Sequence, residues 1–309
     1  MQTRSGSDYG VDMTSWDVHH PPRADGLTVL VTGGNAGIGY FVAEQLAGAG
    51  ATVLLGCRDA ARAEAAMTAI RAVHPSASLR FLPLDLADRL SLPSSVDRLT
   101  APLDAVVLNA GVMIEGPDPD ERTFAINHLG HFALTALLAP YLSQRSRVVT
   151  TGSFVAKSAS FPAHEHDGKR AYARSKLAQM LFGFELARRG GVVSVVNHPG
   201  GALDALTPSR PPVHTRPSGP HPQRLLLQGK DAGAWPAVRC VLDPEVHSGQ
   251  LWGPRMFGLR GVPRLESVRG ILADEELAKS VWERSVELTG LDPSAAMRSA
   301  RRPSPHGLK

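Results

Sequence analysis

The chain has 309 residues, 43% apolar and 20% charged, a size and balance that suit a soluble globular α/β protein with a sizeable core. It contains no run of about 18 apolar residues, which argues against a membrane span. The net charge of +4 comes from basic residues scattered along the chain, apart from the terminal "MRSARRPSPHGLK", so no nucleic-acid partner is expected.

The opening "MQTRSGSDYGVDMTSWD" lacks the apolar core of a signal peptide, and residues 1–24 are expected to form a polar lead-in. Short β-branched runs then alternate with helical patterns. "LTVLVT" (27–32), "ATVLLGC" (51–57), "LRFLPLD" (79–85), "LDAVVLNAG" (103–111), "RVVTTGS" (147–153) and "VVSVVN" (192–197) predict six strands. Helices are predicted after the first two, then from about Glu121 to Leu142 and from about Lys169 to Arg189. Near-continuous apolar strands alternating with helices predict a parallel sheet covered on both faces. "TPSRPPVHTRPSGPHP" (207–222), with six prolines in sixteen residues, is neither helix nor central strand, and residues 203–230 are expected to act as a substrate lid. The basic tail, 291–309, is expected to be disordered. Two cysteines, Cys57 and Cys240, make no disulfide framework and suit a reducing cytoplasm.

The stretch "LVTGGNAGIG" places Gly33, Gly37 and Gly39 directly behind the first strand. Glycines there let a backbone approach phosphates, and a helix N-terminus favours their charge. A tight strand-to-helix turn without a ligand accounts for the same glycines. At the end of the second strand, "GCRD" puts Arg58 where a carboxylate would bind a ribose 2′-hydroxyl. Arginine offers a planar fork to a 2′-phosphate, which favours NADP(H); the alternative is a plain surface arginine. Asp59 is explained as a helix N-cap.

Further on, "AYARSK" supplies Tyr172 and Lys176 at i and i+4, on one face of a helix. An ammonium beside a phenol lowers the phenol pKa, which suits proton exchange with a carbonyl or alcohol near neutral pH. Ser153 ends the fifth strand, at the carboxyl edge where open parallel sheets bind ligands. Its hydroxyl serves either a substrate oxygen or the local backbone.

Together these motifs resemble a short-chain dehydrogenase/reductase, most like the retinol-dehydrogenase-like and WW-domain-oxidoreductase-like group, over residues 25 to 290. The resemblance implies a single Rossmann-type, doubly wound α/β domain. It implies a cofactor turn at Gly33, Asn35, Gly37, Ile38 and Gly39, with Arg58 on the NADP-preferring strand end. Asp85 and Leu86 would contact adenine, Asn109, Ala110 and Gly111 would floor the site, and Pro199 and Gly200 would close it. Tyr172 would be the general acid or base, Ser153 would orient the substrate oxygen, and Lys176 would lower the tyrosine pKa and hold the ribose. Asn127 would complete a water-borne proton path. The implied activity is NADP(H)-dependent hydride transfer on an aldehyde, ketone or alcohol by a cytoplasmic enzyme without metal; homo-oligomer formation stays open.

One position departs from the family. In "NHPGGALDAL" the usual threonine, which anchors the nicotinamide carboxamide, is Asp204, with Thr207 three residues on as a substitute. A side chain facing the nicotinamide from there would favour the oxidised ring. That departure keeps two alternatives open: redox-neutral chemistry such as cyclisation or elimination, and a nucleotide-sensing protein without catalysis. His164 and His166 in "HEHDG" are expected to be solvent-exposed rather than metal-binding.

Overall fold

The six apolar runs become strands β1 (Thr28–Thr32), β2 (Thr52–Cys57), β3 (Ser78–Pro83), β4 (Ala105–Leu108), β5 (Arg147–Thr151) and β6 (Val193–Asn197). The computed structural model describes residues 16–115, 119–159, 168–217 and 222–300. All six strands pair in parallel, with β1 between β2 and β4 (Val31 opposite Leu55 on one side and Val107 on the other). Two further strands, β7 (Leu251–Met256) and β8 (Arg260–Glu266), extend the sheet to the order β3-β2-β1-β4-β5-β6-β7-β8. The β7–β8 pair is antiparallel, and it adds an edge to the parallel sheet that the sequence predicts.

Helices cover both faces. α1 (Gly37–Gly48), α2 (Ala60–Val73) and α7 (Lys230–Leu242) bury Phe41, Leu46, Ile70 and Val238 against one side. On the other side lie α5 (Gly130–Leu137), α6 (Gly168–Arg189) and α8 (Glu275–Thr289), after the short α3 (Leu92–Val96) and α4 (Pro119–Phe124). Phe132, Phe182 and Trp282 meet there with ring centroids 5.1–5.7 Å apart. Local chemistry sets the helix ends: the Asp59 carboxylate accepts from Arg62 N at 3.0 Å, and Gly290 closes α8 with φ +69°.

Three boundaries differ from the sequence reading. The stretch expected as one helix from Glu121 to Leu142 is interrupted by a π-turn at Ala125–Leu129, between α4 and α5. Residues 16–24 of the lead-in are folded, with Trp16 packed on the core and Ala24 buried; the rest of it, 1–15, lies outside the described residues. The tail expected to be disordered from 291 forms a ninth helix, α9 (Pro293–Ala300), because Asp292 caps its first amides and Met297 is buried. Residues 301–309 are outside the described set, as are His164 and His166.

Candidate active site

Strand order reverses between β1 and β4, the switch point at which doubly wound sheets open a crevice beyond their carboxyl ends. A cavity of about 840 Å³ lies there. From the expected set its wall includes Gly33, Asn35, Gly37, Ile38, Arg58, Asp85, Leu86, Asn109, Ala110, Gly111, Tyr172, Lys176 and Pro199. Gly39, Asn127, Ser153 and Gly200 are not part of that wall.

The cradle depends on bare backbone. Gly33 (φ +68°) packs so closely that a Cβ would stand 3.1 Å from the Ala110 backbone. Thr32 joins the turn to the floor: its Oγ1 accepts from the amides of Asn109 (2.9 Å) and Ala110 (3.0 Å). Ala36 caps α1 without a side-chain acceptor, so the first-turn amides beside the cavity have no side-chain cap. That arrangement fits an anionic dinucleotide. Arg58 and Arg62 stand together at the β2 end, and Asp59 is occupied as the α2 cap. Arg62 was missed by sequence reasoning, although it lies one turn after Arg58.

On the catalytic side, the phenol of Tyr172 is hydrogen-bonded to Ser153. Burial raises the Tyr172 pKa above its ordinary value, and the Ser153 bond opposes that rise. Lys176, buried, donates from Nζ to Thr151 O (3.0 Å) and Gln179 Oε1 (2.8 Å). Burial lowers its pKa to about 7. In the protein alone, therefore, the expected lowering of the tyrosine pKa by lysine gives way to desolvation of both groups. Asn127 sits inside the π-turn; its side chain accepts from Val112 N (2.8 Å) and donates to Val112 O and Ser175 Oγ (both 2.9 Å). These bonds tie the loop after β4 to α6. Outside the wall, Gly200 (φ +68°) leaves no room for a Cβ, which would meet Leu259 O at 2.5 Å.

Asp204 does not face the cavity. It is exposed and paired with Lys230 Nζ at 2.5 Å, with His214 at 3.6 Å. Lys230, which does line the cavity, was missed because it lies 26 residues from Asp204 in sequence. Thr207 is not a substitute anchor: its hydroxyl donates to Leu203 O (2.7 Å) and accepts from Lys230 N (2.9 Å). Nearby, Arg210 grips Glu44 on α1 through two bonds of 2.6 and 3.0 Å, so the proline-rich segment is anchored on the cofactor helix.

Two buried histidines lie in and just after the π-turn, and burial lowers the pKa of His128 and His131 to about 3 each. An unfolded histidine titrates near 6.5, so as pH falls the unfolded state takes up these protons first. The stability they contribute is complete above about pH 6.5 and is lost as pH falls toward 3. Each should remove up to ~1.4 kcal/mol per pH unit across that window. Denaturant midpoints at pH 7.5 and 5.5 should therefore differ clearly; equal midpoints would mean the two rings are not buried neutral.

The sheet order and the crevice define a doubly wound nucleotide-binding fold. The chain belongs to the short-chain dehydrogenase/reductase family: the short chain dehydrogenase family profile matches residues 27–205. It is similar to polyprenol dehydrogenase of Mus musculus (34% identical over 292 residues, covering 87% of this chain and 85% of the relative). Retinol dehydrogenase 13 of Homo sapiens is 33% identical over 298 residues, covering 86% of each. An uncharacterized protein from Mycobacterium Paratuberculosis superposes with a TM-score of 0.72 at 29% identity, over 90% of this chain and 98% of that one. A short chain dehydrogenase from Burkholderia cenocepacia J2315, solved in complex with NADP, gives 0.56 at 28% identity, over 71% and 91%. The chain is thus an oxidoreductase of the retinol-dehydrogenase-like group. No helix among the described residues is long and apolar enough to cross a membrane.

Proposed function

We propose that the chain transfers hydride between NADP(H) and a carbonyl or alcohol substrate, with Tyr172 as general acid or base. The observation that carries this reading is Tyr172 and Lys176 on one wall of the cavity, the phenol bonded to Ser153. When bound, the nicotinamide supplies or accepts the hydride at the substrate carbon. Tyr172 donates its phenolic proton to the carbonyl oxygen in reduction and takes it back in oxidation. Ser153, bonded to that phenol, also holds the substrate oxygen. Lys176, charged, favours the phenolate left after donation. Val112 and Met113, partly exposed, and Ile126 add an apolar stretch to the wall, which suits a substrate with an apolar chain.

The NADP(H) assignment rests on Arg58, with Arg62 beside it. An arginine–phosphate contact worth more than ~1.4 kcal/mol gives NADPH at least a tenfold advantage over NADH. Arg58→Ala should erase most of that advantage while leaving NADH affinity unchanged. Titration calorimetry with both cofactors checks this, and equal affinities in the unmodified protein would sink the assignment.

A further inference from the structure

Behind the catalytic lysine lies a buried polar chain that reaches the floor of the cofactor site. Lys176 Nζ carries three N–H donors; two are taken by Thr151 O and Gln179 Oε1, leaving one for the cavity it lines. The Gln179 amide has a fixed orientation. Its Nε2 donates to Leu108 O at 3.0 Å and packs 3.1 Å from His131 Nδ1, so its oxygen faces the lysine. A flipped amide would set an N–H against the ammonium and an oxygen against a carbonyl.

The His131 ring is fixed as well. Both lone pairs of Thr32 Oγ1 are used by the Asn109 and Ala110 amides, so its proton is shared between His131 Nε2 at 2.9 Å and Val107 O at 3.3 Å, and Nε2 acts as an acceptor. The ring proton then sits on Nδ1 and is donated to Asn127 O at 2.9 Å. Thr32, His131 and Gln179 are all fully buried, so none of these bonds exchanges freely with water.

We propose that Gln179 is the positioning residue of Lys176: held by the bond from its Nε2 to the β4 backbone, its amide oxygen sets where the ammonium stands and stabilises its charged form. This rests on the proposed catalytic reading only for its consequence on turnover, not for the geometry. The groups facing Lys176 are few. From α5 comes His131, held neutral by burial; from its own helix Tyr172, one turn earlier in the same wall. β5 gives the uncharged Thr151 carbonyl, and the loop after β4 gives Gly111, where a Cβ would stand 3.0 Å from Nζ. The Gln179 oxygen is therefore the side-chain acceptor that meets the charge.

Two nearly isosteric replacements push in opposite directions. Gln179→Glu sets a carboxylate beside the ammonium and should raise the Lys176 titration midpoint by about one pH unit or more, a tenfold change in proton affinity. Gln179→Met removes the acceptor and should lower the midpoint below the native value of about 7. With six lysines in the chain, NMR titration of protein carrying ¹³C at lysine Cε resolves the midpoint directly, and Lys176→Met assigns the resonance. The alkaline limb of kcat should move with the midpoint in each variant. Melting temperatures identify a variant that has lost its fold; a merely structural glutamine would change those and leave the midpoint in place. An unmoved midpoint in both folded variants overturns the proposal. Full activity in Lys176→Met would instead reject the catalytic reading, and the midpoints would still decide the role of Gln179.

Discussion

Tyr172→Phe should lower kcat about a thousandfold and leave the NADPH dissociation constant nearly unchanged. A positioned general acid is worth roughly 10²–10⁴ in rate, and the Tyr172 phenol on the cavity wall is bonded to Ser153. The ring itself stays where it is: residue 172 lies on α6, flanked by the buried Ala171 and Ser175, so the helix does not depend on the phenolic oxygen. Tyr172 and Ser153 are both partly exposed, so water can replace the lost bond and the melting temperature should change little. Ser153→Ala tests the division of labour, because it removes the hydroxyl that orients the phenol and leaves the proton donor. Its loss should be smaller than that of the phenylalanine variant. Stopped assays with NADPH and a panel of apolar aldehydes and ketones, beside calorimetric cofactor titration, separate these effects. Turnover by Tyr172→Phe within tenfold of the native protein would mean that another group delivers the proton.

The interior of this fold was legible in the sequence because its strands are buried on both sides. "AVVL" carries no polar side chain and "TVLVT" only its two terminal threonines, so no choice of face arises and the apolar run itself marks the strand. The same test fails at the sheet edge. β7 reads "LWGPRM" and β8 "RGVPRLE", where Pro254 lies opposite Pro263 and arginines interrupt the apolar residues. Proline and charge are what an edge strand tolerates, and they erase the pattern by which a strand is recognised. The π-turn was hidden for another reason. "AINHL" continues the helical period on either side, and the shift comes with tertiary bonds: Asn127 to Val112 and Ser175, His131 to the Asn127 carbonyl. The last helix was obscured by composition, since basic residues after 297 outweighed one buried methionine and an aspartate cap.

The site divides along the same line. Residues fixed by spacing within one motif, such as Gly33 and Gly37 or Tyr172 and Lys176, were legible in the sequence and lie on the cavity wall. Residues that depend on where distant segments meet were not. Lys230 enters the wall from the start of α7 and pairs with Asp204, and nothing in "ALDAL" announces a cation 26 residues later. Gln179 and His131 stand 48 residues apart in the chain and 3.1 Å apart in space. Sequence motifs give the groups that touch a ligand; the groups that hold them come from packing.

The glycine turn provides the severest steric test of the site. Gly39→Ala should weaken NADPH binding at least a hundredfold, a loss of about 2.7 kcal/mol. A Cβ there would collide with the Gly33 carbonyl oxygen and the Asn109 amide, and would stand 2.9 Å from the Gly33 carbonyl carbon. Two of those three atoms are backbone, so no side chain can swing aside to relieve the clash. The third, Asn109 Nδ2, donates to Thr32 O at 3.1 Å and so links the turn to the floor of the cavity. Forcing a methyl group into such a contact costs ~1–3 kcal/mol, through movement of α1 away from the ends of β1 and β4. That movement displaces the amides of Ala36 and Gly37, which line the cavity, and so the cost falls on the cofactor as well as on the fold. Gly290→Ala separates the two. It places a side chain on a left-handed residue (φ +69°), but in open space at the far end of α8. It should lose about 1–2 kcal/mol of stability and bind NADPH as the native protein does. Calorimetric titration and thermal melts of both variants decide the matter: a Gly39→Ala protein that binds NADPH like the native chain would show that the turn does not cradle the cofactor.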